Sequence, residues 1–116
     1  MGLLSIMIAN RQYQVLNLPG RPKALLDKTL ARIFQVPTKR INEAVKRNPE
    51  KFPPDFYFDL TLEEIKILQK ENCCDLEWKG GHLPKVFTLF GCNMLATLLI
   101  SPVATDRCLQ IVRSVT

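Results

Sequence analysis

The chain has 116 residues, which is the usual length of one domain. Hydrophobic residues make up 47% of it and charged residues 23%, a balance typical of globular proteins that excludes a disordered or collagenous chain. Lysine and arginine outnumber aspartate and glutamate by 16 to 11, so the formal net charge is +5. We therefore expect a single domain over residues 1–116, and the positive excess favours an anionic partner.

The sequence shows no sign of a membrane span or of export. The most apolar late stretch, residues 94–100, is far shorter than the roughly 18 residues that a span requires. Residues 1–9 are apolar but lack the basic start of a signal peptide. We expect a cytoplasmic protein without a membrane partner, in which the four cysteines stay reduced.

The positive charge is concentrated in the N-terminal part of the chain. Residues 11–51 carry ten basic and three acidic side chains, a net charge of +7. Residues 52–116 carry six basic and eight acidic side chains, a net charge of −2. A charged stretch is usually a solvated face, but an excess that belongs to one helix favours a nucleic-acid surface.

Apolar spacing and chain-breaking residues divide the sequence into short strands and helices. β-prone runs indicate strands, apolar positions at i, i+3, i+4 and i+7 indicate helices, and prolines with glycines mark the breaks. In chain order the predicted elements are a β-hairpin over residues 5–18, helices over 25–34 and 38–48, a strand over 56–60, a helix over 61–70, a strand over 83–87, and helices over 88–100 and 102–113.

Capping residues define the predicted helix starts. Thr38 is an N-cap candidate for the helix over 38–48, and Thr61 with Glu64 has the spacing of a capping box. Thr88 precedes a nearly all-apolar helix, and Ser101 is the N-cap candidate of the last one.

These elements predict an α+β fold: a small single domain with a helix-turn-helix, a short antiparallel β element and C-terminal helices. The helices over 25–34 and 38–48 are separated by about three residues, as in a helix-turn-helix. The strands over 56–60 and 83–87 would pair as a wing-like element. We expect the apolar helix over 88–100 at the buried centre.

The outward face of the helix over 38–48 carries the candidate site. Arginine and lysine donate to guanine O6 and N7, asparagine pairs with adenine, and further cations neutralise phosphates. We expect base-edge contacts from Lys39, Asn42 and Lys46, and phosphate contacts from Arg40, Arg47 and Lys51. The full set of residues expected at double-stranded DNA is Thr38, Lys39, Arg40, Asn42, Glu43, Lys46, Arg47 and Lys51. Spacing alone leaves a solvated surface helix as an equal alternative.

Other reactive side chains give little support for metal binding or catalysis. Cys73 and Cys74 are adjacent and lack the spacer that zinc ligands use, and His82 has no nucleophile and acid at a known spacing. Cys92 and Cys108 occupy apolar helix faces and are expected in the core. We expect no metal, no cofactor and no enzymatic activity.

The sequence also resembles a known family. The run from Thr38 to Asn48, followed by Phe52-Pro53 and Asp55-Phe56, resembles the KilA-N type domain at the N-terminus of phage antirepressors and related regulators. The likeness continues through Gly80-Gly81, Leu83-Pro84, Phe87-Thr88 and Gly91, and it covers about residues 25–113.

That resemblance implies a DNA-binding domain of a phage-type transcription regulator, with the helix over 38–48 as the contact element. An alternative is an interaction module that binds a repressor protein, with the basic face incidental. In that case the last helix, over 102–113, would serve as a docking or homodimerisation surface.

Overall fold

The N-terminal hairpin places apolar residues at alternate positions, Ile6 and Ile8 in one strand and Tyr13 and Val15 in the other, so that these four lie on one face of the strand pair. In the computed structural model, which describes residues 2–115, β1 (Leu3–Ile8) pairs antiparallel with β2 (Arg11–Leu16). Ala9 and Asn10 connect them with φ values of 50° and 65°, the backbone of a two-residue turn whose twist matches that of the strands. The predicted hairpin is confirmed.

The hairpin continues into one five-stranded antiparallel sheet. The strand order is β1-β2-β3-β5-β4, where β3 is Ala24–Leu26, β4 is Tyr57–Asp59 and β5 is Lys85–Thr88. The pairing of β4 with β5 is as expected, but these strands belong to the main sheet and do not form a separate wing. The predicted helix start at residue 25 is also wrong, because residues 24–26 form β3. All three residues of this strand are buried, so their sequence lacks the apolar–polar alternation that indicates a strand.

The helices follow the predicted order, and the first two form the expected helix-turn-helix. A turn of three residues, 35–37, joins them, and their apolar faces pack together. Within residues 2–115 the helices are α1 (Asp27–Phe34), α2 (Thr38–Arg47), α3 (Leu62–Lys70), α4 (Leu89–Leu98) and α5 (Ala104–Val115), with a 3₁₀ turn at Pro49–Lys51.

Two helix starts differ from their predicted caps. Thr38 is the first residue of α2, because the N-cap position belongs to Pro37, whose extended backbone (ψ 146°) leads directly into the helix. Ser101 precedes the first residue of α5 by three positions; its hydroxyl accepts from the Val103 N–H (3.3 Å), as expected of a cap, and also donates to the carbonyl of Phe34 (2.7 Å). By contrast, the capping box is confirmed: the Thr61 hydroxyl accepts from the Glu64 N–H, and the Glu64 carboxylate accepts from the Thr61 N–H.

The sheet separates two hydrophobic clusters. The larger cluster includes Phe34 and Phe87 and joins one face of the sheet to α1, α2, α4 and α5. The smaller cluster, with Leu26 and Val86, lies on the other face, where α3 covers it. Consecutive residues of β3 and β5 divide between the clusters, as the alternation of side chains along a strand requires.

The apolar helix α4 is not the buried centre of the fold. Cys92 and Leu95 are buried, whereas Phe90 is 59% exposed. Because nearly all residues of α4 are apolar, the sequence does not indicate which side of this helix faces solvent. Cys92 and Cys108 are core residues as expected, and the four cysteines are all free thiols. No helix in residues 2–115 has the length and apolar character needed to cross a membrane.

Candidate nucleic-acid interface

Helix α2 exposes the face on which the sequence placed the candidate site. Ile41 and Val45 are buried in the larger cluster, and the helix packs on α1 and α4. Because Ile41 and Val45 face inward, the intervening polar residues are directed outward. Of the predicted site residues, the more exposed ones are Lys39, Arg40, Lys46, Arg47 and Lys51, and the half-buried ones are Thr38, Asn42 and Glu43.

The turn before α2 fixes the direction in which that helix leaves α1. Gln35 ends α1 in the left-handed conformation (φ 59°, ψ 46°), which is unfavourable for most residues other than glycine and asparagine. The N–H groups of Gln35 and Val36 both donate to the carbonyl of Ala31. This closes α1 tightly and lets α2 start three residues later.

Asn42 is held by a partner within the domain. Its Nδ2 donates to Oδ2 of Asp27 at 3.0 Å, so the middle of α2 is tied to the first residue of α1. The other carboxylate oxygen of Asp27 accepts from the N–H of Lys28 at 2.7 Å. Nδ2 of Asn42 also donates to the carbonyl of Thr38 at 3.5 Å, so both amide hydrogens are used within the domain and a bidentate pair with adenine would require one of these bonds to break. The arrangement makes the side chain suitable for fixing the position of α2.

The basic side chains of α2 are mostly uncompensated. Arg47 lies 3.9 Å from Glu43, a long contact in which its side chain is still 78% exposed. Among residues 2–115, Lys39, Arg40, Lys46 and Lys51 take part in no ion pair. An exposed cation without an acidic partner keeps its full attraction for an external anion.

Three cations elsewhere in the N-terminal half are neutralised by acids from the C-terminal half. Three ion pairs connect the halves at distances of 2.9 to 3.2 Å: Arg21 with Glu64, Lys28 with Glu77, and Arg32 with Asp75. The positive excess of residues 11–51 is therefore reduced around α1 and left intact on α2.

The ion pair between Arg21 and Glu64 is bidentate. The guanidinium donates twice to the carboxylate, at 2.9 and 3.1 Å. Burial alone raises the pKa of Glu64, but the hydrogen bonds from Arg21 and from the Thr61 N–H outweigh it, so this pKa lies below the usual glutamate value. The same hydrogen bond raises the pKa of Arg21. The charges of Arg21 and Glu64 consequently cancel, so this pair gives the surface no net positive charge to attract a polyanion.

The first turn of α2 combines two cations with an uncapped N-terminus. No side chain within residues 2–115 caps the helix, and the turn contains Lys39 and Arg40 but no acid. This arrangement is unfavourable for the helix itself, since cations at an N-terminus oppose the helix dipole. The same dipole attracts a phosphate. The local composition thus favours anion binding over helix stability.

A shallow groove runs along one side of α2. Its volume is about 260 Å³, and it separates the helix from the end of α4. Arg40, Glu43 and Arg47 line one wall, and the segment 98–100 lines the other. Ile100 is 87% exposed there, although the sequence placed it inside a buried helix. The sequence contains no signal for this exposure, because it depends on α4 ending at Leu98.

Side chains with metal-binding or nucleophilic chemistry are scattered. Within the part of the chain that the structure describes, no three histidine, cysteine, aspartate or glutamate side chains converge as a metal-binding group. Burial raises the pKa of Cys73 to about 11 and also raises that of Cys92, so both thiols are protonated at neutral pH.

Fold and surface together define a class of protein: a small α+β domain built around a helix-turn-helix whose second helix is basic. The family comparison is more specific. The chain belongs to the ORF6N domain family, a phage-type family whose profile matches residues 20–98, well over half of the sequence. The match runs from the turn before β3 to the end of α4 and includes the whole helix-turn-helix. Comparisons with curated proteins and with solved structures give no match.

Proposed function

We propose that this domain binds double-stranded DNA as part of a phage-type transcription regulator, in the manner of the KilA-N type domains that it resembles. The observation that carries the proposal is the location of the uncompensated charge. Four cations on α2 and the turn after it have no acidic partner within residues 2–115, whereas both cations of α1, Lys28 and Arg32, are paired. The second helix of a helix-turn-helix is also the element that enters the major groove in DNA-binding proteins. The proposed role is binding and not catalysis.

The exposed side chains of α2 divide between two kinds of contact. Lys39 and Lys46 lie seven residues apart on one helix face and would reach base edges in the groove. Arg40, Arg47 and Lys51 flank that face and would bind phosphates on either side. Asn42 would act through its bond to Asp27 by holding the helix in place, and Glu43 by restraining Arg47.

A charge-removal experiment tests the proposal. The double variant Lys46→Ala, Arg47→Ala removes two exposed cations without altering a buried group. Lys66→Ala, Lys70→Ala is a matched control, because it removes two exposed cations from α3 on the other side of the sheet. Affinity for duplex DNA would be measured by gel shift over a range of salt concentrations.

We expect the α2 variant to bind more weakly and to lower the slope of log K against log salt by about 0.9 for each phosphate contact removed. The control variant should keep the affinity and slope of the parent. Equal binding by the parent and the α2 variant would disprove the role of α2.

Base contacts are tested separately by selecting bound sequences from a random duplex pool. Lys39→Ala should relax the preference at one base pair, with a loss of about 1–3 kcal/mol of discrimination. Arg40→Ala should instead weaken binding to all sequences alike. If both variants selected the parent's sequence motif with unchanged stringency, Lys39 would have no role in base recognition.

A second candidate function, binding to a repressor protein, is favoured by a stacked aromatic pair in which one ring is exposed. The rings of Phe56 and Phe90 stack with centroids 5.7 Å apart, and Phe90 is largely exposed beside Met94. Exposed aromatic residues and methionine are enriched at protein interfaces. Phe90→Ser should leave DNA binding unchanged if α2 is the functional surface. The second function would be favoured if Phe90→Ser lost repressor binding and if the affinity of the parent for duplex DNA did not fall as the salt concentration rises.

A further inference from the structure

A second group of basic residues lies outside the outward face of α2, around a pocket of about 290 Å³. It contains three arginines contributed by different elements: Arg11 from β2, Arg32 from α1 and Arg107 from α5. The residues lining the pocket are Ala9, Arg11, Tyr13, Arg32, Gln35 and Arg107. The separation of these residues in the sequence hides this grouping, which the packing of α5 against β1 and α1 creates.

Two of the three guanidinium groups are positioned by the fold. Nη1 of Arg107 donates to the carbonyl of Ile33 at 3.1 Å. Nη1 of Arg32 donates to both carboxylate oxygens of Asp75, at 2.9 and 3.0 Å, and its Cζ lies 5.2 Å from the ring centroid of Tyr13. Each of these contacts uses only part of a five-donor guanidinium, so donors remain for a ligand. The two groups are therefore already ordered before anything binds.

The pocket carries more positive charge than its surroundings neutralise. Arg11 is exposed and forms no ion pair within residues 2–115, and Arg107 likewise bonds to a neutral carbonyl. The carboxylate of Asp75 offsets only Arg32. The amide of Gln35 adds a neutral polar group, on a residue held in the left-handed conformation.

We propose that this pocket binds a phosphate group. Guanidinium groups match the oxygen spacing of phosphate through paired N–H donors and are its preferred ligands among cationic side chains. A volume of about 290 Å³ is at the lower end of the range for ligand pockets and suits a small anion. The phosphate has two possible sources: a free phosphate species in solution, or the backbone of duplex DNA. The second source rests on the proposed function of α2.

The free-phosphate source is tested with the complete chain by titrating inorganic phosphate and pyrophosphate at constant ionic strength, balanced with chloride. The melting temperature and amide NMR shifts report binding. Arg11→Gln is the informative variant, because Arg11 is exposed and its loss leaves the fold intact. Arg113→Gln is the matched control, since it removes an exposed arginine of α5 that does not line the pocket. Arg107→Lys keeps the charge but loses the paired donors.

We expect phosphate to raise the melting temperature of the parent and of Arg113→Gln above the value in chloride, and to shift amide signals near Gln35. The effect should weaken several-fold in Arg11→Gln and in Arg107→Lys. This result would support the pocket whether or not the domain binds DNA.

The DNA source is tested by gel shift over the same salt range. If the pocket binds a backbone phosphate, Arg11→Gln should lower the salt slope by about one unit relative to the control. The proposal is overturned if phosphate has no effect beyond that of chloride and if Arg11→Gln also leaves DNA binding unchanged. Failure of α2 variants to affect DNA binding would refute the proposed function alone, because the phosphate titration does not depend on it.

Discussion

Removal of the hydrogen bond between Asn42 and Asp27 should destabilise the domain by a predictable amount. The bond joins a half-buried amide to a carboxylate at 3.0 Å. Hydrogen bonds to charged groups contribute about 1.5–3 kcal/mol, and partial exposure places this one near the lower value. Alanine regains about 0.6 kcal/mol of helix propensity over asparagine. Asn42→Ala should therefore lower the free energy of unfolding by about 1 kcal/mol.

Asp27→Ala removes the same bond and one more. The carboxylate also accepts from the Lys28 N–H and interacts favourably with the dipole of α1, so the expected loss is about 2 kcal/mol. In the double variant the shared bond is lost only once. The double variant should therefore lose about 1.5 kcal/mol of unfolding free energy, well below the sum of the two single losses. The difference is a coupling energy of about 1.5 kcal/mol.

Urea denaturation followed by circular dichroism measures these energies, and gel shifts measure the functional consequence. If Asn42 acts by positioning α2, both single variants should weaken DNA binding by a similar factor without changing the selected sequence. A coupling energy near zero would refute the structural argument. Relaxed preference at an A·T pair in Asn42→Ala, but not in Asp27→Ala, would show instead that Asn42 reads a base.

Three further predictions concern stability and are measured by denaturation. Gly91→Ala should cost about 2–4 kcal/mol, because a Cβ there would overlap the carbonyl oxygen of Phe56; an unchanged stability would contradict this packing. Gln35→Gly should raise the free energy of unfolding by about 0.5–1 kcal/mol, because the relief of left-handed strain exceeds the gain in unfolded-state entropy. A lower free energy of unfolding would contradict the strain at residue 35. The lowered pKa of Glu64 means that its bond to Arg21 stabilises the fold above the usual glutamate pKa and is lost as pH falls through the lowered value. Glu64→Gln should therefore flatten the fall in stability with acidification, and an unchanged pH profile would argue against the ion pair.

Elements set by local interactions could be predicted from the sequence. The capping box of α3 needs only two side chains three residues apart, and the hairpin needs two β-prone runs on either side of a short turn. The helix-turn-helix follows from apolar spacing on either side of residues 35–37. In each case the residues that determine the structure are neighbours in the chain.

Features that depend on burial by distant segments could not be predicted. The strand β3 looked like the start of a helix, because a short apolar run buried on both faces has no periodicity of its own. The exposure of Phe90 and Ile100 was equally hidden, since both belong to an apolar stretch and only the neighbouring helices decide which side is covered.

For the charges of the candidate site, too, some features were determined by the sequence and others only by the tertiary structure. The sequence by itself determined that the basic residues are concentrated in the N-terminal half and that α2 has a polar outward face. Only the tertiary structure decided which of those cations are free, because Arg21 and Arg32 are paired with acids 43 residues further along the chain. It also decided that Asn42 bonds to Asp27 and that Arg11, Arg32 and Arg107 share a pocket. An electrostatic interaction depends on distance in space, and folding sets that distance for residues that are far apart in sequence.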